Sequence, residues 1–103
     1  MSAIVQDHIT IPMTELAELC RRYYVRELRL FGSVLRDDFS DDSDVDILVE
    51  FEPDAPIGLY EHFDLAEELT RLIGRKVDLV SRRGLNPVIR DSVLASSRVL
   101  HAA

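Results

Sequence analysis

The sequence predicts an α/β fold, α+β by the looser label: one helix, then a small mixed sheet of three or four strands with helices packed on one face. Three observations carry that reading. Three short apolar runs, Val25 to Phe31, Val45 to Phe51 and Arg75 to Val80, have the alternation or the β-branched density of strands. Stretches with apolar residues at helical spacing stand before, between and after them. At 103 residues the chain has room for one domain with one core, so 1–103 is expected to fold as a single unit.

Taken in order, residues Thr10 to Tyr23 carry Met13, Leu16, Ala17, Leu19 and Cys20 at helical spacing, with Thr10 as a cap and Pro12 tolerated in the first turn. Cys20 is the single cysteine, which excludes an internal disulfide and a cysteine-based zinc site, and its periodic position makes it a buried structural thiol. Tyr23 and Tyr24 read as core or half-core aromatics rather than a base-stacking platform. The first strand, Val25 to Phe31, sets Leu28 and Leu30 on one face with Arg26, Glu27 and Arg29 between; Gly32 to Arg36 then turn into a short helix. The second strand, Val45 to Phe51, ends where Pro53 and Pro56 make a turn. Gly58 to Ile73 is an amphipathic helix with Gly74 as its cap, and its acidic face, Glu61, Asp64, Glu67 and Glu68, reads as solvated surface, as does His62. The third strand, Arg75 to Val80, leads into Arg82-Arg83, a pair that either touches a phosphate or partner surface or lies in solvent. Asn86-Pro87 open a last helix through about Ser97.

The chemistry concentrates between the first two strands. A strand ending in Gly32-Ser33 and turning into a helix offers free backbone N–H groups and a hydroxyl at a positive helix end, which suits a phosphate. Gly32 lets the backbone approach an anion closely. Asp44 and Asp46 stand two apart at the start of the second strand, where period-two geometry sends both carboxylates to one face. Two such anions repel, and a hard divalent cation relieves the repulsion. Asp78, on the third strand, reaches the same ions if that strand pairs beside the second, and the product is a two-metal clamp for in-line attack on phosphorus. Arg36 either reaches a nucleotide phosphate or pairs with Asp37 or Asp41.

Rival readings of the acidic stretch fail on position. A calcium loop starting at Asp42 would have Ile47 at its sixth place instead of Gly and Pro53 at its twelfth instead of Glu. A phosphatase Asp-x-Asp lies at the end of an apolar strand, whereas Ile47-Leu48-Val49 follow the pair here. His8 and His101 are too scattered to form a metal cluster.

A formal charge of −7 opposes docking on nucleic acid, which needs clustered Lys and Arg; it suits a basic protein partner, or simply solubility. No apolar run approaches the ~20 residues that span a membrane. The first residues, Met1 to Ile11, lack a basic-then-apolar signal pattern, so the cytoplasm is the expected location.

Gly32-Ser33, ten intervening residues, Asp44-Val45-Asp46 and then a lone Asp78 on a later strand resemble the minimal nucleotidyltransferases of the DNA polymerase β superfamily. The likeness covers nearly the whole chain. Within the superfamily, size and the wording Leu-Phe-Gly-Ser and Ser-Asp-Val-Asp-Ile-Leu-Val look most like the MNT antitoxins paired with HEPN-domain toxins. Such sequences often carry Ala and Gly around the residue matching Arg36, where this chain has Leu35 and Asp37. The resemblance implies a nucleotidyltransferase core with two Mg2+ ions on Asp44 and Asp46 and with Asp78 on the ion that activates an attacking hydroxyl. Gly32 and Ser33 would grip the β and γ phosphates of ATP. It further implies that AMP is placed on a hydroxyl, a tyrosine, of a HEPN-type ribonuclease toxin, neutralising it. Two other readings stand beside this one. One is an antitoxin that neutralises by covering its partner without catalysis. The other is a transferase acting on a small molecule such as an aminoglycoside, which the lack of a second domain argues against.

Overall fold

Alternation builds the centre of the sheet. In β3 (Val25–Phe31), Val25, Leu28 and Leu30 are buried while Arg26 is exposed and Arg29 half-buried; in β4 (Val45–Phe51), Val45, Ile47, Leu48 and Val49 are all buried. The two strands pair antiparallel, with Phe31 opposite Asp46 and Leu28 opposite Val49. This computed structural model describes residues 2–6, 9–35 and 43–103, without the side chains of 2–6 and Ser33. His8, Arg36, Asp37, Asp41 and Asp42 lie outside the described residues.

After β4 the chain must cross over to make a parallel neighbour, and helix α2 (Leu59–Ile73) does so. The Gly58 N–H donates to Glu61 Oε1 (2.6 Å) at its start, and Gly74 closes its end in the left-handed conformation, φ 79°. Strand β5 (Val77–Ser81) then pairs parallel to β4. Helix α3 (Pro87–Ser96) begins on Asn86, whose side chain accepts from the Val88 N–H. Strand β6 (Arg98–Ala102) pairs antiparallel to β3, so the mixed sheet runs β5-β4-β3-β6.

The start of the chain departs from the sequence reading. Thr10 does not cap a helix: Ser2–Gln6 (β1) and Ile9–Pro12 (β2) form an antiparallel hairpin, and helix α1 occupies Met13–Arg22. Ile9 and Ile11 are buried with Thr10 exposed between them, an alternation that puts β2 against the core, and Pro12 serves as the residue before the helix. Strand β6 is a second addition, supplying the fourth strand of the sheet.

Helices α1 and α2 share one core with one face of the sheet. Leu16, Leu19 and Cys20 of α1 and Leu65, Leu69 and Ile73 of α2 meet Leu28, Leu30, Val45, Ile47 and Val49. Helix α3 buries no residue. Arg29, whose register places it on the opposite face beside Leu48, donates to Ser97 Oγ (3.1 Å) just past the end of α3.

Candidate active site

The parallel pairing of β4 with β5 sets Asp46 directly beside Asp78. Register partners on neighbouring strands point to the same face and their backbones lie ~4.8 Å apart, so both carboxylates leave the face away from the α1 and α2 core. Two contacts fix that register at its start. The Val77 N–H donates to the Thr70 hydroxyl (3.0 Å), and the Val45 N–H donates to the Lys76 carbonyl (2.8 Å). Asp44 immediately precedes β4 and is exposed, as is Asp78, whereas Asp46 is half-buried. The Arg75 guanidinium donates to the Ser43 carbonyl (3.4 Å), tethering the residue before Asp44 to the start of β5.

Gly32 closes the site from the other side. It opens a 3-10 turn, Gly32–Leu35, with φ 74°, a backbone that L side chains rarely adopt. A Cβ built there would overlap an Asp46 carboxylate oxygen and lie 3.2 Å from Asp46 Cγ. The glycine is therefore required twice: for its backbone conformation and for the space that Asp46 occupies. The side chain of Ser33 and the whole of Arg36 lie outside the described residues.

The available donors are carboxylate oxygens, which suit a hard cation such as Mg2+ better than a soft one. Among the described residues no three His, Cys, Asp or Glu side chains are already gathered around a single point. The donor chemistry fits a magnesium site; the structure shows the carboxylates side by side, not converged.

Asp64 and His62 depart from their solvated readings, while Tyr23 lies in the core as expected and Tyr24, expected there too, is 49% exposed. Tyr23 is buried and its hydroxyl donates to Asp64, which thereby joins the end of α1 to α2; this hydrogen bond, together with burial, pushes the Tyr23 phenol above its ordinary value. His62 Nε2 donates to the Leu79 carbonyl (2.9 Å), with its ring edge-on to Phe51 and Phe63. Arg82 pairs with Glu50 (3.2 Å). Cys20 is fully buried as expected, and burial pushes its thiol up to about 12.

Sequence reasoning missed a groove of about 750 Å³ at the other end of β4 and β5, lined by residues that include Arg26, Glu50, Phe51, Leu59, Arg82 and Arg90. Its residues come from seven separate stretches of chain, and no local motif announces it.

A mixed sheet that sets two carboxylates side by side next to a glycine turn is an arrangement that metal-assisted nucleotidyl transfer would use. Comparison with known proteins makes the class specific. The chain belongs to the nucleotidyltransferase domain family, which matches residues 13–100. A relative from Thermococcus cleftensis, named protein adenylyltransferase MntA, is 46% identical over 77 residues, covering 75% of this chain and 76% of its own. A solved structure of a proposed minimal nucleotidyltransferase superposes with TM-score 0.69 at 40% identity, covering 82% of this chain and 84% of that one. A complex of a tri-AMPylated HEPN toxin from Shewanella oneidensis with its MNT antitoxin shares the fold, with TM-score 0.62 at 23% identity, covering 87% of this chain and 69% of that one. Among the described residues no helix is long and apolar enough to cross a membrane.

Proposed function

We propose that this chain is a magnesium-dependent protein adenylyltransferase acting as an antitoxin: it transfers AMP from ATP to a tyrosine hydroxyl of a HEPN-type ribonuclease toxin and so neutralises it. The reading takes 1–103 as one catalytic domain working in the cytoplasm. The observation that carries it is the lateral pairing of Asp46 with Asp78, with Asp46 packed against Gly32. Family membership and the adenylyltransferase relative support the reaction, and the AMPylated toxin complex suggests the partner.

In the reaction, the acceptor oxygen forms a bond to the α phosphorus of ATP. The bond from that phosphorus to the bridging oxygen breaks, pyrophosphate leaves, and the hydroxyl proton is lost to solvent. Gly32 and Ser33 hold the β and γ phosphates through backbone N–H groups and the serine hydroxyl. Asp44, Asp46 and Asp78 would hold two magnesium ions, which supply charge neutralisation at the phosphates and favour ionisation of the attacking hydroxyl. Asp46, fixed against Gly32 and beside Asp78, sets the relative position of the carboxylates; positioning of this kind supplies much of the rate in phosphoryl and nucleotidyl transfer. Arg36 is assigned to the nucleotide phosphates.

The test is intact-mass analysis of the protein encoded beside this chain, incubated with it, ATP and magnesium, with Asp44→Asn as control. A gain of one or more AMP units that vanishes with the variant supports the proposal. No gain, with a stable complex and undiminished neutralisation, replaces it with an antitoxin that works by covering its partner.

A further inference from the structure

The geometry points to a second binding surface: the groove at the far end of β4 and β5 is a docking site for a protein segment that alternates carboxylate and apolar side chains. Its β4 lining lies at the end of that strand away from Asp46. Glu50 and Phe51 are the last residues of β4, four and five beyond Asp46, which at the rise of a strand is roughly 13 Å and more along the sheet.

Two features of the lining select the occupant. The first is charge. Arg26, Arg82, Arg83 and Arg90 surround the groove, against Glu50 and Glu52, in a chain whose formal charge is −7. Among the described residues only Arg82 of these four is neutralised, by Glu50. Among the described residues Arg26 and Arg83 make no ion pair, and Arg90 Nε is buried without a hydrogen-bond partner, its guanidinium reaching only the Leu85 carbonyl (3.4 Å). Three arginines thus line the groove with guanidinium donors to spare, and planar carboxylates are their natural acceptors.

The second feature is apolar. Phe51, Ile57, Leu59 and Leu79 also line the groove, and Leu59 is 74% exposed. Phe63, 61% exposed, stands one helical turn beyond Leu59 on the same side of α2, so the apolar strip continues outward from the rim. Exposed aromatics and arginines around a concave centre are the composition of residues that dominate protein interfaces. A nucleic acid backbone would answer the arginines but leave this strip uncovered, and the acidic chain as a whole repels it. An amphipathic acidic segment satisfies both.

The inference adds to the proposed transfer reaction a means of holding the partner outside the catalytic centre, and its test does not depend on that reaction. The probe is a fluorescein-labelled peptide, Asp-Leu-Glu-Phe-Asp-Leu, titrated with the full chain at two salt concentrations. The expected result is saturable binding that weakens with salt, falls at least tenfold in Arg83→Glu and in Arg26→Glu, and is unchanged in Asp44→Asn. The same peptide with lysine at each acidic position should not bind. Absence of binding, equal binding of the lysine peptide, or preference for a fluorescein-labelled hexanucleotide RNA overturns the inference. Loss of AMP transfer in Asp44→Asn with peptide binding intact separates the two sites; peptide binding with no transfer by the native chain leaves the groove standing and removes the enzyme reading.

Discussion

Gly32→Ala and Gly74→Ala form a matched pair that measures the contact between Gly32 and Asp46. Both glycines have nearly the same left-handed backbone, φ 74° and φ 79°. Alanine in that conformation costs about 1–2 kcal/mol, which in a domain of this size lowers Tm by roughly 4–16 °C. The environments differ. At Gly74 a Cβ meets nothing within 4 Å, whereas at Gly32 it overlaps the Asp46 carboxylate and lies 3.4 Å from Asp46 Cβ. Gly74→Ala therefore pays only the backbone term, and Gly32→Ala must also displace Asp46. A displacement on the order of 1 Å of a positioning group lowers the rate about 100-fold. The assays are thermal melting by circular dichroism and single-turnover AMP transfer. Gly74→Ala should melt early yet transfer at the native rate, while Gly32→Ala should melt at least as early and lose about two orders of magnitude in transfer. In an Asp46→Ala background the steric part disappears, and Gly32→Ala should cost no more than Gly74→Ala. Equal transfer rates in the two single variants would refute the assignment of Asp46 to the catalytic centre.

Asp78→Asn should leave melting within about 0.5 kcal/mol of native, because the side chain is exposed, while lowering AMP transfer at least ~100-fold. Cys20 should resist alkylation in the folded protein and react on unfolding. Because its thiol is held near 12 against 9.0 when unfolded, the unfolded chain loses that proton first. Its contribution is therefore intact below pH 9 and declines by up to ~1.4 kcal/mol per pH unit toward 12; Cys20→Ala should flatten the alkaline limb of a urea-melting series. Tyr23→Phe removes the hydrogen bond to Asp64 and should destabilise by about 1–3 kcal/mol. Its phenol is also raised, so the native chain's advantage over this variant should hold below pH 10 and shrink above it, as the same melts would show.

The central elements were legible because burial and pattern coincide in them. Val25–Phe31 and Val45–Phe51 are strands over the ranges their apolar runs mark, and Gly74 and Asn86 end and begin helices where their chemistry says they should. Strand β6 was not legible, since only Leu100 of its five residues is buried and an edge strand with one anchored side chain leaves no period to read. Residues Ile9–Pro12 were misread for a different reason: a threonine and a proline before a helical pattern imitate a cap and first turn, and only the hairpin partner decides otherwise. In the site, the chain spacing led to the pairing of Asp46 with Asp78, since parallel strands joined by one helix are neighbours. The fit of Asp46 against Gly32 could not be read, because it depends on a three-dimensional approach between residues fourteen positions apart. His62 and Asp64 looked solvated because their partners, the Leu79 carbonyl and the Tyr23 hydroxyl, come from other elements.

The register of β5 against β4 makes the carboxylate pair and the core answer to the same parity. Asp78 alternates with Val77 and Leu79, both buried. An insertion or deletion of one residue between Gly74 and Val77 would turn Asp78 inward and push its apolar neighbours into water, so the length change that misaims the carboxylate also unfolds the domain. A shift by two residues would keep the faces but part Asp78 from Asp46 by a full pleat. Single-residue length variants that lose the aim of Asp78 should therefore be removed by quality control as misfolded chains, and a stably folded but catalytically silent form is reached by substitution far more readily than by slippage.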